Sequence, residues 1–536
     1  MPITATAAKG ICNIMLEASN GLQLALASTP VIATLTGITA PVGSTGVRYY
    51  LKISNWTTSG TVTITGTGTP NNTETYSIAA PTAQQSQSAQ LANNEYVSAN
   101  AYTAITNITT TGLTNGTIVV YYIQAGKFQI PSIMKSKRLI KPYSPNEHNS
   151  LIERDKKLLQ LVNNTTIDEI KQDVYADISL WWPYMMMGAP TTTASIPAAP
   201  TSLFAAAAIS STQSLATQPT APGMRLIFTI TSFTVAGTLT ITGTVNGIAN
   251  TSEVVSITGA GTFYSANVYS SVNASGIANT STAATMAITG VFGWSLTFLS
   301  GQALYTAAVE WFDGTGSWTH PFSFATDGSF DIKVQTEATL TLKGKAQDKL
   351  PIGDRTTTPL SGTNRIASLG VNLNDQPLVG WQTVVYLDPI TGTSLTTAYT
   401  AVEELKVDLK VPQEDHFTFT NTQTFNRAYP QKRECLVDAK LDFTDMLQWE
   451  QFRQNLKQYL AFQFLGQYIG TSAGTNYFKS WTWTFPIKTD GDFDVTSDPS
   501  KGNVYAQAKF RAEYDSGIAA AYKLVVVTTQ PPTYAS

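Results

Sequence analysis

From Gly60 the chain alternates strictly, with Val62 and Ile64 apolar and Thr61, Thr63 and Thr65 polar between them. A period of two places the apolar side chains on one sheet face and the threonines on the other, so the segment predicts a half-buried antiparallel strand. The phrase returns: Gly60-Thr-Val-Thr-Ile-Thr-Gly-Thr67 and Gly237-Thr-Leu-Thr-Ile-Thr-Gly-Thr244 agree at seven of eight positions. The match continues in Thr73-Glu-Thr-Tyr-Ser-Ile78 against Ser252-Glu-Val-Val-Ser-Ile257, and in Asn100-Ala-Tyr-Thr-Ala-Ile105 against Asn267-Val-Tyr-Ser-Ser-Val272. Two copies of one small module follow, at 45–125 and 223–300. Short strands separated by Gly, Asn and Ser make each a small β-sandwich of Ig-like type.

Between the copies the spacing changes. Leu151, Leu158, Leu159, Leu161 and Val162 fit one helix, Asn163-Asn164 break it, and Thr166-x-x-Glu169 offers a capping box for a second helix with Ile170, Val174 and Ile178. Residues 126–190 are therefore expected to be a helical connector, preceded by the basic cluster Lys135, Lys137, Arg138 and Lys141, a solvated or inter-subunit face. At its end Trp181-Trp-Pro-Tyr-Met-Met-Met187 is an apolar run that reads either as a subunit interface or as core. Pro190, Pro197, Pro200, Pro219 and Pro222 mark 191–222 as a linker or a long loop.

The remainder, 301–536, predicts a larger β domain. Strands are expected at Thr339–Lys343, Leu405–Val411, Trp481–Phe485, Val504–Tyr514 and Tyr522–Val527. One helix is expected from Thr444 to Leu460, because Trp449, Phe452, Leu456 and Tyr459 recur at three- and four-residue spacing.

Composition narrows the function classes. Only 13 % of residues are charged and the formal net charge is −3, so no basic footprint for sequence-specific nucleic-acid binding exists. The two cysteines, Cys12 and Cys435, imply neither a disulfide framework nor a thiolate metal site and read as buried thiols. The opening MPITATAAKGICNIML lacks the apolar core of a secretory signal, and no run approaches the ~20 apolar residues that span a bilayer, so folding in a cytoplasm is expected.

Catalytic chemistry finds little support. His148, His320 and His416 stand in separate segments without partners at i+3 or i+4, and neither a Gly-x-Ser-x-Gly elbow nor a phosphate loop occurs. Asp490-Gly-Asp-Phe-Asp494 opens like a calcium loop, with Asp490, Asp492 and Asp494 as candidate ligands, but Val495 and Lys501 stand where glycine and glutamate are required; an acidic hairpin turn is the plainer reading. Glu403, Glu404, Glu414 and Asp415 offer carboxylates for glycoside hydrolysis or, more simply, solvated charges. The expectation is a protein that is no enzyme and needs no cofactor.

The order of segments in the last part is informative. Ala307-Ala-Val-Glu-Trp-Phe-Asp-Gly314, then Glu337-Ala-Thr-Leu-Thr-Leu-Lys-Gly-Lys-Ala346, then Cys435-Leu-Val-Asp-Ala-Lys-Leu-Asp-Phe443, a helix, Trp481–Pro486 and an ending with Lys509-Phe-Arg-Ala-Glu-Tyr-Asp515 resemble the tail tube proteins of long, non-contractile-tailed bacteriophages. The resemblance implies a tail-tube-type β-sandwich with one packed α-helix, to which two Ig-like modules have been added. It further implies a virion subunit, assembled in the host cytoplasm, that forms rings of six stacked into a tube. Its partners would be other copies of itself, a tape measure protein, tail terminator and distal tail proteins, with transient non-specific contact with double-stranded DNA in the lumen. The modules would decorate the exterior. The expected organisation is an N-terminal segment 1–44, module 45–125, connector 126–190, linker 191–222, module 223–300 and tube core 301–536. The rival expectation is a surface adhesin that binds carbohydrate through exposed aromatic platforms such as Trp56, Tyr96 and Trp294.

Overall fold

The structure is a computed structural model. It describes residues 10–532 except 18–22, 31–33, 36–37, 39–45, 70, 81–93, 125–127, 144–158, 209–210, 234, 258, 281–284, 313–316, 353–374, 390–397, 417–424, 426, 443–449, 451–452, 492–493 and 499–502. The protein is mainly β, built from antiparallel sheets around separate apolar cores.

The largest core lies between two sheets. In the first, Thr339–Ala346, Ser317–Lys333, Val402–Lys410, Glu434–Asp442 and Asn503–Ala512 lie side by side. Their register aligns Leu340, Phe330, Val407, Val437 and Phe510 in one buried row across five strands. In the second, Thr383–Pro389, Gln458–Ser472, Thr475–Thr489, Lys523–Thr528 and Gly293–Leu299 align Val385, Phe462, Trp483, Leu524 and Phe298 in another. Alternation along each strand sends these side chains inward, where the two rows meet. Phe330 stacks on Phe462 at 6.0 Å and on Trp481 at 5.9 Å, and meets Phe464 and Trp483 edge-on. Every C-terminal strand expected from the alternation is present.

Each repeated module is an antiparallel sheet around its own core. In the first, Gly60–Thr69 pairs with Thr73–Ile78 and Ala101–Thr111; in the second, Gly237–Val245 pairs with Ile248–Ile257 and Gly261–Asn279. Val62, Ile64, Leu239 and Ile241 are buried, as the alternation requires, and Thr61, Thr63 and Thr65 face outward.

Several expectations are corrected. The two long helices expected in the connector do not form: Phe128–Tyr143 and Leu159–Asp173 make a long antiparallel hairpin, and the second strand also pairs with Thr339–Ala346. Residues 151–158 of the first expected helix lie outside the described residues. In the second, a register shift between Ile167 and Ile170 inserts an extra residue, so buried positions fall three apart and imitate a helical period. The capping box does not form; Thr166 bonds to Asp168, and Glu169 pairs with Lys135 across the hairpin.

The late helix is also cut short. Gln454 N donates to Glu450 O at 3.0 Å, one helical turn, and Asn455 at φ 48° then ends it in the left-handed region. From Gln458 the chain is a strand, Leu456 is 58 % exposed, and Trp449 and Phe452 lie outside the described residues.

Residues 191–222 carry strands rather than a loop: Thr192–Ile196, Thr201–Ala208 and Thr212–Gln213, with the prolines outside them. The first joins the core sheet beside Gly293–Leu299, itself core rather than module, and the others join the second module. At the N-terminal side Gly10–Glu17 pairs with Thr306–Phe312 of the core, while Gln23–Pro30 extends the first module. The apolar run Trp181–Met187 is a short helix, entirely buried, with Trp182 edge-on to Trp483 at 6.1 Å and Tyr184 edge-on to Phe298 at 5.3 Å. It closes the core and is not an exposed interface.

Candidate functional site: a charged sheet face and two module junctions

The outer face of the first core sheet is a lattice of opposite charges. The residue next to each member of the buried row points outward, so the register sets Asp331, Lys406, Asp438 and Lys509 in line across four strands, with Lys333, Glu404, Lys440 and Gln507 beside them. These residues border a shallow groove of about 420 Å³. The charges pair within the face: Lys333 with Glu404 at 3.1 Å, Lys406 with Asp408 at 2.8 Å, Lys410 with Glu434 at 3.2 Å and Lys440 with Glu403 at 2.7 Å. Adjacent strands lie about 4.8 Å apart, so opposite signs screen one another and the face presents little net field to a distant charge.

The two modules carry one polar network. Glu74 accepts hydrogen bonds from the backbone of Ala99 and Asn100, and Glu253 from Ala266 and Asn267. Ser98 accepts from Tyr49 N and donates to Asn100 O; Ser265 accepts from Leu226 N and donates to Asn267 O. Burial raises the pKa of both glutamates, against the lowering effect of those backbone donors. An arginine completes each network: Arg48 Nη1 donates to Ser98 O and Ala99 O, and Arg225 Nη1 donates to Ser265 O at 2.7 Å.

At the first junction Arg48 grips Glu310 of the core with two hydrogen bonds, Nε to Oε1 and Nη2 to Oε2 at 3.0 Å, and both side chains are buried. Burial alone lowers the Arg48 pKa, but the charge and hydrogen bonds of Glu310 outweigh it and leave the group raised. At the second junction the core supplies Lys479 between two carboxylates, Asp177 at 2.7 Å and Asp375 at 2.8 Å. Asp177 also accepts from Thr528 Oγ1, Thr529 N and Thr529 Oγ1, and its pKa is lowered: burial raises it, and Lys479 and the threonines more than reverse that. Asp375 is pushed up to about 6 by burial and by Asp177.

The residues singled out by sequence are scattered. Asp490 pairs with Arg511 at 3.2 Å, Asp492 lies outside the described residues, and Asp494 begins the strand Asp494–Asp498; among the described residues no cluster of three metal-ligating side chains occurs. His320 is buried, with Nδ1 3.2 Å from Val309 O and Nε2 3.0 Å from Ser136 Oγ, His416 meets the ring of Tyr429, and His148 lies outside the described residues. Glu403 and Glu404 belong to the charged face, whereas Glu414 bonds to Gln431 and Asp415 to Lys345. Lys135 and Lys137 pair with Glu169 and Asp168. Cys435 is buried; Cys12 sits on Gly10–Glu17. Trp56, Tyr96 and Trp294 are 2 %, 6 % and 4 % exposed, so none of these three forms the exposed platform expected of it.

The junction residues Arg48, Glu310, Arg225, Lys479, Asp177 and Asp375 escaped the sequence reading. One signal was present: Gly46-Val-Arg48 and Gly223-Met-Arg225 open the equivalent strands of the two copies. Their partners on the core lie far away in sequence and left no pattern. Among the described residues no helix is long and apolar enough to cross a membrane. In comparisons with known proteins, no family model and no curated sequence matches the chain.

Proposed function

We propose that this chain is the repeating subunit of a hollow tube, the tail tube of a long, non-contractile-tailed bacteriophage, through which double-stranded DNA leaves the capsid. The reading rests first on the segment order of 301–536, and the observation that carries it furthest is the long hairpin. Its proximal part is anchored in the core by pairing of residues 165–173 with Thr339–Ala346. Its distal part, residues 139–143 against 159–164, pairs only within itself among the described residues. A two-stranded ribbon is marginal in water by itself and gains stability from a further surface. In a stacked-ring assembly that surface is the next ring.

The charged face suits the wall of a DNA conduit. A basic lumen would hold phosphates through counterion release and slow ejection, and a strongly acidic one would resist filling. Alternating, mutually paired charges avoid both. In the ring this face turns to the lumen and the modules lie on the outside, the first fixed to the wall by the Arg48–Glu310 pair.

The test is electron microscopy of the purified chain, concentrated and given time to polymerise. Long tubes with a regular axial repeat and lateral knobs are the expected result. Small discrete particles under every condition, even with tail initiator proteins added, would overturn the reading.

A further inference from the structure

The two module junctions are built on equivalent arginines but differ in what faces them. Arg48 meets the Glu310 carboxylate; Arg225, 4 % exposed, reaches a cavity of about 120 Å³ between its module and the core. Its Nη1 is used by Ser265 O, and its Nε has no hydrogen-bond partner among the described residues. A buried guanidinium donor without an acceptor is destabilising, which makes an external acceptor favourable.

We propose that this junction binds one small carboxylate, held by Arg225 in the position that the Glu310 side chain takes against Arg48. The internal repeat supplies the template: the same strand, the same arginine and the same serine carbonyl behind it. A carboxylate matches a guanidinium with two parallel hydrogen bonds. The cavity has room for formate or acetate.

The surrounding charges set the pH at which the site opens. Lys479, Asp177 and Asp375 line the cavity with Arg225; Glu253 faces Arg225 from the module, and Tyr175 lies near Asp375. Asp177 is committed to Lys479 and the two threonines. With Asp375 ionised, the two cations face three carboxylates, Asp177, Asp375 and Glu253. When Asp375 takes up its proton, near pH 6, the cluster loses one negative charge and opposes an anion less. Binding therefore strengthens as pH falls through about 6.

Isothermal titration of sodium acetate into the full chain, at pH 5.5 and 7.5 and constant ionic strength, tests this. A one-site saturable isotherm is expected, tighter by about tenfold at the lower pH. Arg225→Gln should abolish it. Val268→Glu, which puts a carboxylate on the residue opposite Arg225 in the strand pair while keeping the arginine, should abolish it as well and leave the far-UV circular dichroism unchanged. Absence of saturable heat in the wild type, or acetate binding that persists in the folded Val268→Glu chain, overturns the proposal.

Discussion

Single residues hold this protein together where buried charges meet. Glu310 lies in the core with Arg48 as its bidentate partner, so Glu310→Ala takes the opposite charge away from a buried guanidinium. Loss of one member of a buried pair costs about 3–5 kcal/mol; equilibrium denaturation should show that loss, and hydrogen exchange should localise it to the first module. Phe330 touches four aromatic rings of the opposite sheet. Phe330→Ala should cost about 3–5 kcal/mol through the cavity it leaves, read as a lower denaturant midpoint. His320 is held at about 3 by burial, with Lys349 adding to the effect and the Val309 carbonyl opposing it. The unfolded imidazole titrates near 6.5, so between that value and about 3 the folded state binds fewer protons. Its contribution to stability is complete above about pH 6.5 and is lost as pH falls, by at most about 1.4 kcal/mol per unit. Asp375, raised to about 6, acts in the opposite sense below that pH. Comparing wild type with His320→Asn across pH 4–7 isolates the histidine: the variant should show a shallower acid loss.

At the scale of elements, the hairpin and the repeat behave differently. The modules close on their own cores, whereas the distal hairpin pairs only with itself among the described residues. Replacing residues 138–163 with a short Gly-Asn turn should leave circular dichroism and melting of the core nearly unchanged. The same chain should form no tubes by electron microscopy. The alternating strands of 301–536 were legible because one face of each is buried, which writes a period of two into the sequence. The hairpin was misread because its bulge beside Ile167 converts that period locally into three.

For the whole molecule, the proposed tube requires of the charged face that it not hold DNA. Asp331→Lys with Asp438→Lys turns the row Asp331, Lys406, Asp438, Lys509 wholly basic. In the hairpin-shortened chain, where the face stays accessible, this pair of substitutions should produce retention of double-stranded DNA in a gel-shift assay, weakening steeply with salt. The unsubstituted face should give none at the same salt. Equal behaviour of the two would remove the electrostatic argument for the lumen.

By itself the sequence determined the mainly β class, the duplicated module, the threonine-out alternation of its strands and the positions of the C-terminal strands. All of these are local or repeating patterns, written by which face of a strand meets water. The tertiary structure decided the rest: that Trp181–Met187 is core, that Thr192–Ile196 and Gly293–Leu299 leave their neighbours to join the central sheet, and that Arg48 pairs with Glu310 while Arg225 Nε has no hydrogen-bond partner among the described residues. Those choices depend on contacts between residues hundreds of positions apart, and such pairings leave no period in a single chain.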